Sequence, residues 1–145
     1  MDTVPPDVRS RIMSSVRSTN TKPELVVRRL LHSLGYRFRL HRADLPGRPD
    51  ISFSAKRKVI DVRGCFWHQH PDPRCSKATI PTSRRDWWAS KLQTNIDRDN
   101  RNALALQEHG WTSLVLWECE LTNHDQLRIR LEDFLGPPLV KPRNE

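Results

Sequence analysis

The residues that most constrain this fold lie in one loop and at one distant point. GCFWHQHPDPRC, residues 64–75, holds two of the chain's three cysteines and two of its six histidines. Cys65, His70 and Cys75 are separated by four residues each, and Cys119 stands far downstream. Three thiols and one imidazole form a closed tetrahedral set of the kind that structural zinc prefers. If they share an ion, the chain must fold so that Cys119 returns to this loop, and a long polar segment gains a reason to be ordered. The competing reading is that Cys119 is a buried core thiol and the other two cysteines are free. Either way, an odd number of cysteines speaks against a disulfide framework.

Charge narrows the partner. Lys and Arg number 25 against 17 Asp and Glu, for a net charge of +8, and the pI is near 10.1. Such a surface suits a polyanion, nucleic acid first. The N-terminus MDTVPPDVRS lacks an apolar signal region, and no run of eighteen apolar residues occurs. The expectation is a soluble cytoplasmic protein with no membrane partner.

Residues 1–20 read as an arm in which Ile12, Met13 and Val16 mark a short helical face, and residues 137–145 as a tail, leaving 21–136 as one domain. TKPELVVRRLLHSLG predicts a helix, with Thr21 and Glu24 as a capping box and Gly35 at the C-terminal end. Its expected buried face is Leu25, Leu30, Leu31 and Leu34. YRFRLH alternates as a half-buried strand. DISFS and VIDV flank the basic turn AKRK as a hairpin. A long helix over 84–109, capped by Ser83 and ended by Gly110, precedes WTSLVLWE, whose apolar run predicts a buried central strand. Trp111 and Trp117 are assigned to the core. A last helix over 125–135 completes the order αβββαβα, an α/β fold with a mixed central sheet and helices on both faces.

Asp50 opens one predicted strand and Asp61 lies in the next. PD, ten intervening residues, then DVR fits the hairpin spacing of PD-(D/E)xK nucleases, with Arg63 where that pattern has Lys. Phosphodiester hydrolysis near neutral pH calls for a divalent ion, and magnesium needs only one or two carboxylates. The plainer alternative is a Pro-Asp turn and a chance Asp-x-Arg, with Glu24 only a helix cap. His68 lies outside the zinc set and is either a surface residue or a general acid or base. Phe66, Trp67, Trp87 and Trp88, among Arg84, Arg85 and Lys91, could wedge into a base stack while the cations hold phosphates. They could equally bury the loop against the long helix.

Taken together, RSRIMSSVRS, LPGRPDI, GCFWHQH, the WW and KLQTNIDRD segments, LQEHGW and VLWEC resemble the very-short-patch repair (Vsr) endonucleases, from about Arg11 to about Glu120. The resemblance implies a PD-(D/E)xK (restriction-endonuclease-like) fold with a structural zinc site. It also implies a magnesium-dependent enzyme that nicks one DNA strand 5′ to the thymine of a T·G mismatch left by deamination of 5-methylcytosine. On it, Asp50 and the backbone carbonyl of Val62 hold magnesium, His68 is catalytic, and Glu24 and Asp99 are acidic residues near the centre. Phe66, Trp67 and Trp88 would wedge beside the mismatch, Met13 would insert from the minor groove, and Cys65, His70, Cys75 and Cys119 would hold zinc. A monomer is expected, with mismatched duplex DNA as partner and a MutL-type mismatch-repair protein as a further candidate. Three departures stand out. Arg63 occupies a position where the best-known members have histidine. Asp61 replaces a hydrophobic residue and either binds metal or pairs with Arg63. Four residues rather than one separate His70 and Cys75, so that loop must bulge at Pro71 and Pro73.

Overall fold

The structure, a computed structural model, describes residues 19–138. The arm with Met13 and most of the tail lie outside the described residues. Helix α1 spans Lys22–Ser33, strand β1 Arg39–Leu40, β2 Ile51–Phe53, β3 Lys58–Arg63, helix α2 Arg85–Glu108, β4 Thr112–Trp117 and α3 His124–Leu135. The expected αβββαβα order is present.

Thr21 caps α1 by accepting a hydrogen bond from the Glu24 amide at 3.3 Å. The reciprocal half of the capping box does not form. The Glu24 carboxylate accepts from the Asn20 amide instead, at 3.1 Å, because His41 and Arg28 draw it inward to 1% exposure. The buried face of α1 is accordingly Glu24, Val27 and Leu31, at i, i+3 and i+7. Leu25, Leu30 and Leu34, expected there, are only partly buried.

The four strands lie in the order β1-β2-β3-β4. β2 and β3 form the expected antiparallel hairpin, Ile51 opposite Ile60, turning through a short 3-10 segment, Ser54–Lys56, and a left-handed Arg57. β1 is shorter than the alternation of YRFRLH suggests, because Tyr36 and Phe38 pack edge-on against Phe53 rather than pairing in the ladder. β4 runs parallel to β3, Ile60 opposite Leu114. Among the described residues it is an edge strand in which only Leu116 is fully buried, not the central strand its apolar run suggests. The run reflects the helices packed over this region rather than a second neighbouring strand.

Successive residues of β3 face opposite sides. Ile60 and Val62 join Val27 and Leu31 of α1 and Leu127, Leu131 and Leu135 of α3. Val59 joins Leu45, Leu106 of α2 and the half-buried Trp111. Helices therefore cover both sheet faces, and each fully buried leucine contributes on the order of 2–5 kcal/mol against truncation to alanine. The side chain of Asp61 follows Val59 in the alternation, so it lies on the α2 side.

Two local features position the residues of the cleft between α1 and α2. Gly47 of LPGRPD has φ +76°, and a Cβ there would sit 2.8 Å from the Asn102 side chain. Only glycine lets this turn press on α2 and deliver Asp50 to the start of β2. The start of α2 differs from expectation. Arg84, not Ser83, is the N-cap residue, with φ +53° and no side-chain cap, while Ser83 Oγ is buried without a hydrogen-bond partner. This turn accompanies the packing of Trp87 and Trp88 beside the loop at Phe66 and Trp67. The other end is as expected, with Gly110 at φ +83° and the Trp111 amide donating to Leu106, closing the helix.

Candidate active site

A cleft of about 880 Å³ opens between the N-terminal end of α1, the β2–β3 hairpin and α2. Its lining includes Glu24, Asp50, Asp61, Val62, Arg63, Trp67, His68, Lys91 and Asp99. The structure thus brings Asp50 and His68 to one surface.

Asp50 uses one carboxylate oxygen to accept from the Val62 amide at 2.8 Å. Its own amide donates to Asp61 Oδ1 at 3.2 Å. Burial pushes the Asp50 carboxyl up to about 7, with the Asp61 and Glu24 charges adding to it and the Val62 amide and Arg63 opposing. Burial likewise raises Asp61, against the pull of Arg63. Asp61 Oδ2 stands 4.0 Å from the Arg63 guanidinium, so each Asp61 oxygen already faces a donor. Arg63 lies 5.8 Å from the Trp117 ring.

Across from Asp50, His68 and Asp99 form a pair. His68 Nδ1 lies 2.7 Å from Asp99 Oδ2. With the proton on Nδ1, donated to the carboxylate, Nε2 of this cleft-lining residue is left as an acceptor. Half-burial pushes Asp99 up, but the hydrogen bond and charge of His68, then Arg63 and Arg98, outweigh it and hold the group below its ordinary value. α2 supplies Asp99 and, one turn earlier, Asn95, whose Nδ2 donates to the Trp67 carbonyl at 3.0 Å. Asn95 is 6% exposed and ties the loop carrying His68 to the helix carrying Asp99. Asn95→Ala leaves a half-buried carbonyl without its donor, a loss of about 1–3 kcal/mol expected in urea denaturation. A variant as stable as wild type would show that the tie is dispensable.

The second constellation lies beside the first. One ligand atom each from Cys65, His70, Cys75 and Cys119 falls within 4.8 Å of the others. His70 Nδ1 is 3.3 Å from Cys119 Sγ and 3.8 Å from Cys65 Sγ. A tetrahedral zinc shell separates sulfur from nitrogen by about 3.6 Å, so the donor set fits that ion. Burial pushes the Cys65 thiol up to about 12 and raises Cys119. Desolvation works upward on Cys75 too, but its hydrogen bonds with His70 and Cys65 outweigh it and bring the thiol down to about 7. Three crowded sulfurs cannot all ionise unless a cation joins them. The His70 ring stacks on Trp117, 4.5 Å between centroids at 15°, so Trp117 backs the thiol cluster rather than filling the core. The extra residues between His70 and Cys75 form a turn closed by the Cys75 amide on the Asp72 carbonyl at 3.0 Å. Arg74 pairs with Asp72 and holds it at about 2.

The aromatics form one cluster. Phe66 meets Trp67 and Trp88 edge-on at 5.1 and 5.4 Å, and Trp88 meets Trp87 at 4.9 Å. They join the loop to α2, the plainer of the two roles expected for them. Trp87 remains 37% exposed under the Arg84 guanidinium at 5.3 Å. Arg85 reaches the Ile80 carbonyl at 3.4 Å, and Lys91 lines the cleft.

Two residues of this region carried no sequence signal of their role. Asn95 sits inside a polar helix stretch, and His41 looked like an outward-facing strand residue. His41 Nε2 instead contacts Glu24 Oε2 at 2.8 Å, and Glu24, His41 and Asp50 form a second group able to hold a metal ion.

A carboxylate pair facing a carboxylate-bound imidazole in a cation-edged cleft has the makings of a phosphodiester hydrolase, and the chain's relatives specify the class as DNA endonuclease. Residues 1–75 match the family described as DNA mismatch endonuclease Vsr. The chain is 49% identical over 136 residues to the type II nicking enzyme V.XorIIP of Xanthomonas oryzae pv. oryzae, covering 94% of this chain and 98% of that one. It is 40% identical over 123 residues to the type II nicking enzyme V.NmeAIP of Neisseria meningitidis, covering 85% and 86%. It is 39% identical over 119 residues to the DNA mismatch endonuclease Vsr of Escherichia coli, covering 82% and 74%. The chain belongs to the Vsr family of DNA endonucleases. Among the described residues, no helix is long and apolar enough to cross a membrane.

Proposed function

We propose that this endonuclease nicks one strand of duplex DNA 5′ to the thymine of a T·G mismatch, on a PD-(D/E)xK-like scaffold with a magnesium centre at Asp50 and a structural zinc at Cys65, His70, Cys75 and Cys119. The observation carrying the reading is that Asp50 and the His68–Asp99 pair line the same cleft. Asp50 and the Val62 carbonyl would hold magnesium, which when bound neutralises phosphate charge and makes water acidic enough to attack. Glu24 orients water beside Asp50. His68, fixed by Asp99, takes or returns the proton through Nε2. Arg63 offsets charge that develops on the phosphate, while Asp61 holds Arg63 and the Asp50 backbone in place.

Mismatch preference follows from unstacking. A T·G wobble admits an aromatic wedge at lower cost than a paired step, and Phe66, Trp87 and Trp88 cluster with Trp67, which lines the cleft, with Arg84, Arg85 and Lys91 available for phosphates. Met13 would act from the arm. A MutL-type protein is a partner consistent with this reading. Several relatives are named nicking enzymes, which favours a second reading in which the same chemistry serves another sequence context. A panel of T·G, U·G and fully paired duplexes in several contexts separates them. The expected result is a magnesium-dependent cut in the thymine strand of T·G alone, while equal cutting of paired DNA would overturn mismatch specificity.

A further inference from the structure

The Glu24–His41–Asp50 group contains an imidazole to which the proposed nicking chemistry gives no role. His41 directly follows β1, and its amide donates to the Asp50 carbonyl at 3.1 Å. Its own carbonyl accepts from Arg48 Nε at 3.2 Å. Its φ is +48°, in the left-handed region that residues other than glycine seldom enter, and strain of this kind concentrates at functional sites. From this bend the ring reaches Glu24, with Nε2 2.8 Å from Oε2 and the side chain 13% exposed. Glu24 does not need the ring to satisfy its charge. Asn20 already donates to Oε1 at 3.1 Å and Arg28 to Oε2 at 3.3 Å.

One ligand atom each from Glu24, His41 and Asp50 lies within 4.8 Å of the others. In an octahedral shell with bonds of about 2.1 Å, adjacent ligand atoms stand about 3 Å apart and opposite ones about 4.2 Å. The 2.8 Å contact suits an adjacent pair. We propose that His41 is a nitrogen ligand of the divalent ion held at Asp50, and that Glu24 beside it is a direct ligand rather than only an orienter of water, so that the centre is mixed nitrogen and oxygen and favours manganese more than an all-oxygen magnesium site would. The proposal rests on the reading of this cleft as a metal centre. Imidazole is a good ligand for first-row transition ions, whereas magnesium keeps to oxygen.

Pulsed electron paramagnetic resonance on the full-length, zinc-replete protein loaded with Mn2+ reads the ligand directly. The expected spectrum shows modulation from a coordinated ¹⁴N imidazole, and protein labelled with ¹⁵N-histidine shows the ¹⁵N pattern, with no substitution needed. The modulation should persist in His68→Gln and vanish in His41→Gln. The same His41→Gln change should lower the ratio of Mn2+ to Mg2+ affinity about tenfold in a competition titration. Mn2+ bound at one site in the wild type and lost in Asp50→Asn, but without nitrogen modulation, would overturn the His41 assignment and leave the Asp50 centre standing. Mn2+ binding no stronger in the wild type than in Asp50→Asn would overturn both.

Discussion

Asp50→Asn is expected to raise the thermal stability of the protein in magnesium-free buffer at pH 8, by several degrees, while removing the carboxylate proposed to hold magnesium. The Asp50 carboxyl is pushed from 3.8 up to about 7, burial being the main cause. Between these values the folded chain holds a proton that the unfolded chain has released, so stability falls as pH rises from about 4 to about 7. Above pH 7 the whole penalty is present. Each tenfold change in proton affinity is worth about 1.4 kcal/mol, so the penalty is on the order of 4 kcal/mol at most. Asparagine carries no charge to desolvate and keeps an oxygen for the Val62 amide. The gain over wild type should shrink towards pH 4. On the proposed centre at Asp50, added magnesium should stabilise the wild type by binding its folded state and should leave the variant unmoved. A variant less stable than wild type at pH 8 would mean that the Asp50 charge supports the fold instead of being held at its expense.

Cys119→Ser is expected to have the largest effect on stability. Cys119 lies in the 3-10 turn Glu118–Glu120 that ends β4, and its sulfur joins that strand to the loop at Cys65, His70 and Cys75, beside the Trp117–His70 stack and the Cys65 amide on Glu118. Serine is a poor zinc ligand, and the remaining thiols are then left crowded without a counter-ion. Losing a structural zinc removes binding energy that is also folding energy. The expected loss is about 3–5 kcal/mol, or about 10–16 °C in Tm for a chain of this size. Metal analysis should find one zinc per wild-type chain and almost none in the variant. A zinc-free wild type, or a variant of unchanged Tm, would return Cys119 to the role of an ordinary half-buried thiol.

The parts that were legible in the sequence are those written in local chemistry or in spacing. Thr21 before a Pro-Glu start and Gly110 after an apolar period mark helix ends wherever the helix packs. The PD to DVR spacing is a property of a hairpin, so it survives folding unchanged. Cys119 was legible at a distance because thiols and imidazole share one ligand chemistry, but residues whose role depends on a distant neighbour without such a shared chemistry were not. Glu24 reads as half of a capping box until His41 and Arg28 pull it inward. His41 alternates like a surface strand residue, and only its left-handed backbone turns it to Glu24. The run WTSLVLWE resembles a buried central strand because an edge strand covered by helices on both faces needs the same residues. Arg84 takes the cap position that Ser83 was suited for, since the aromatics beside it must meet Phe66 and Trp67. Trp117 could be assigned to the core by hydrophobicity alone, but its plane lies against His70.

The link between His68 and Asp50 is tested most directly by single-turnover nicking of a T·G duplex, with duplex binding measured in parallel, for wild type, Asp50→Asn and His68→Ala. Expected are wild-type binding within about threefold in both variants and nicking slowed at least about a hundredfold in each, since general acid–base removal alone costs about 10²–10⁴. Nicking at the wild-type rate in either variant would contradict a shared catalytic cleft.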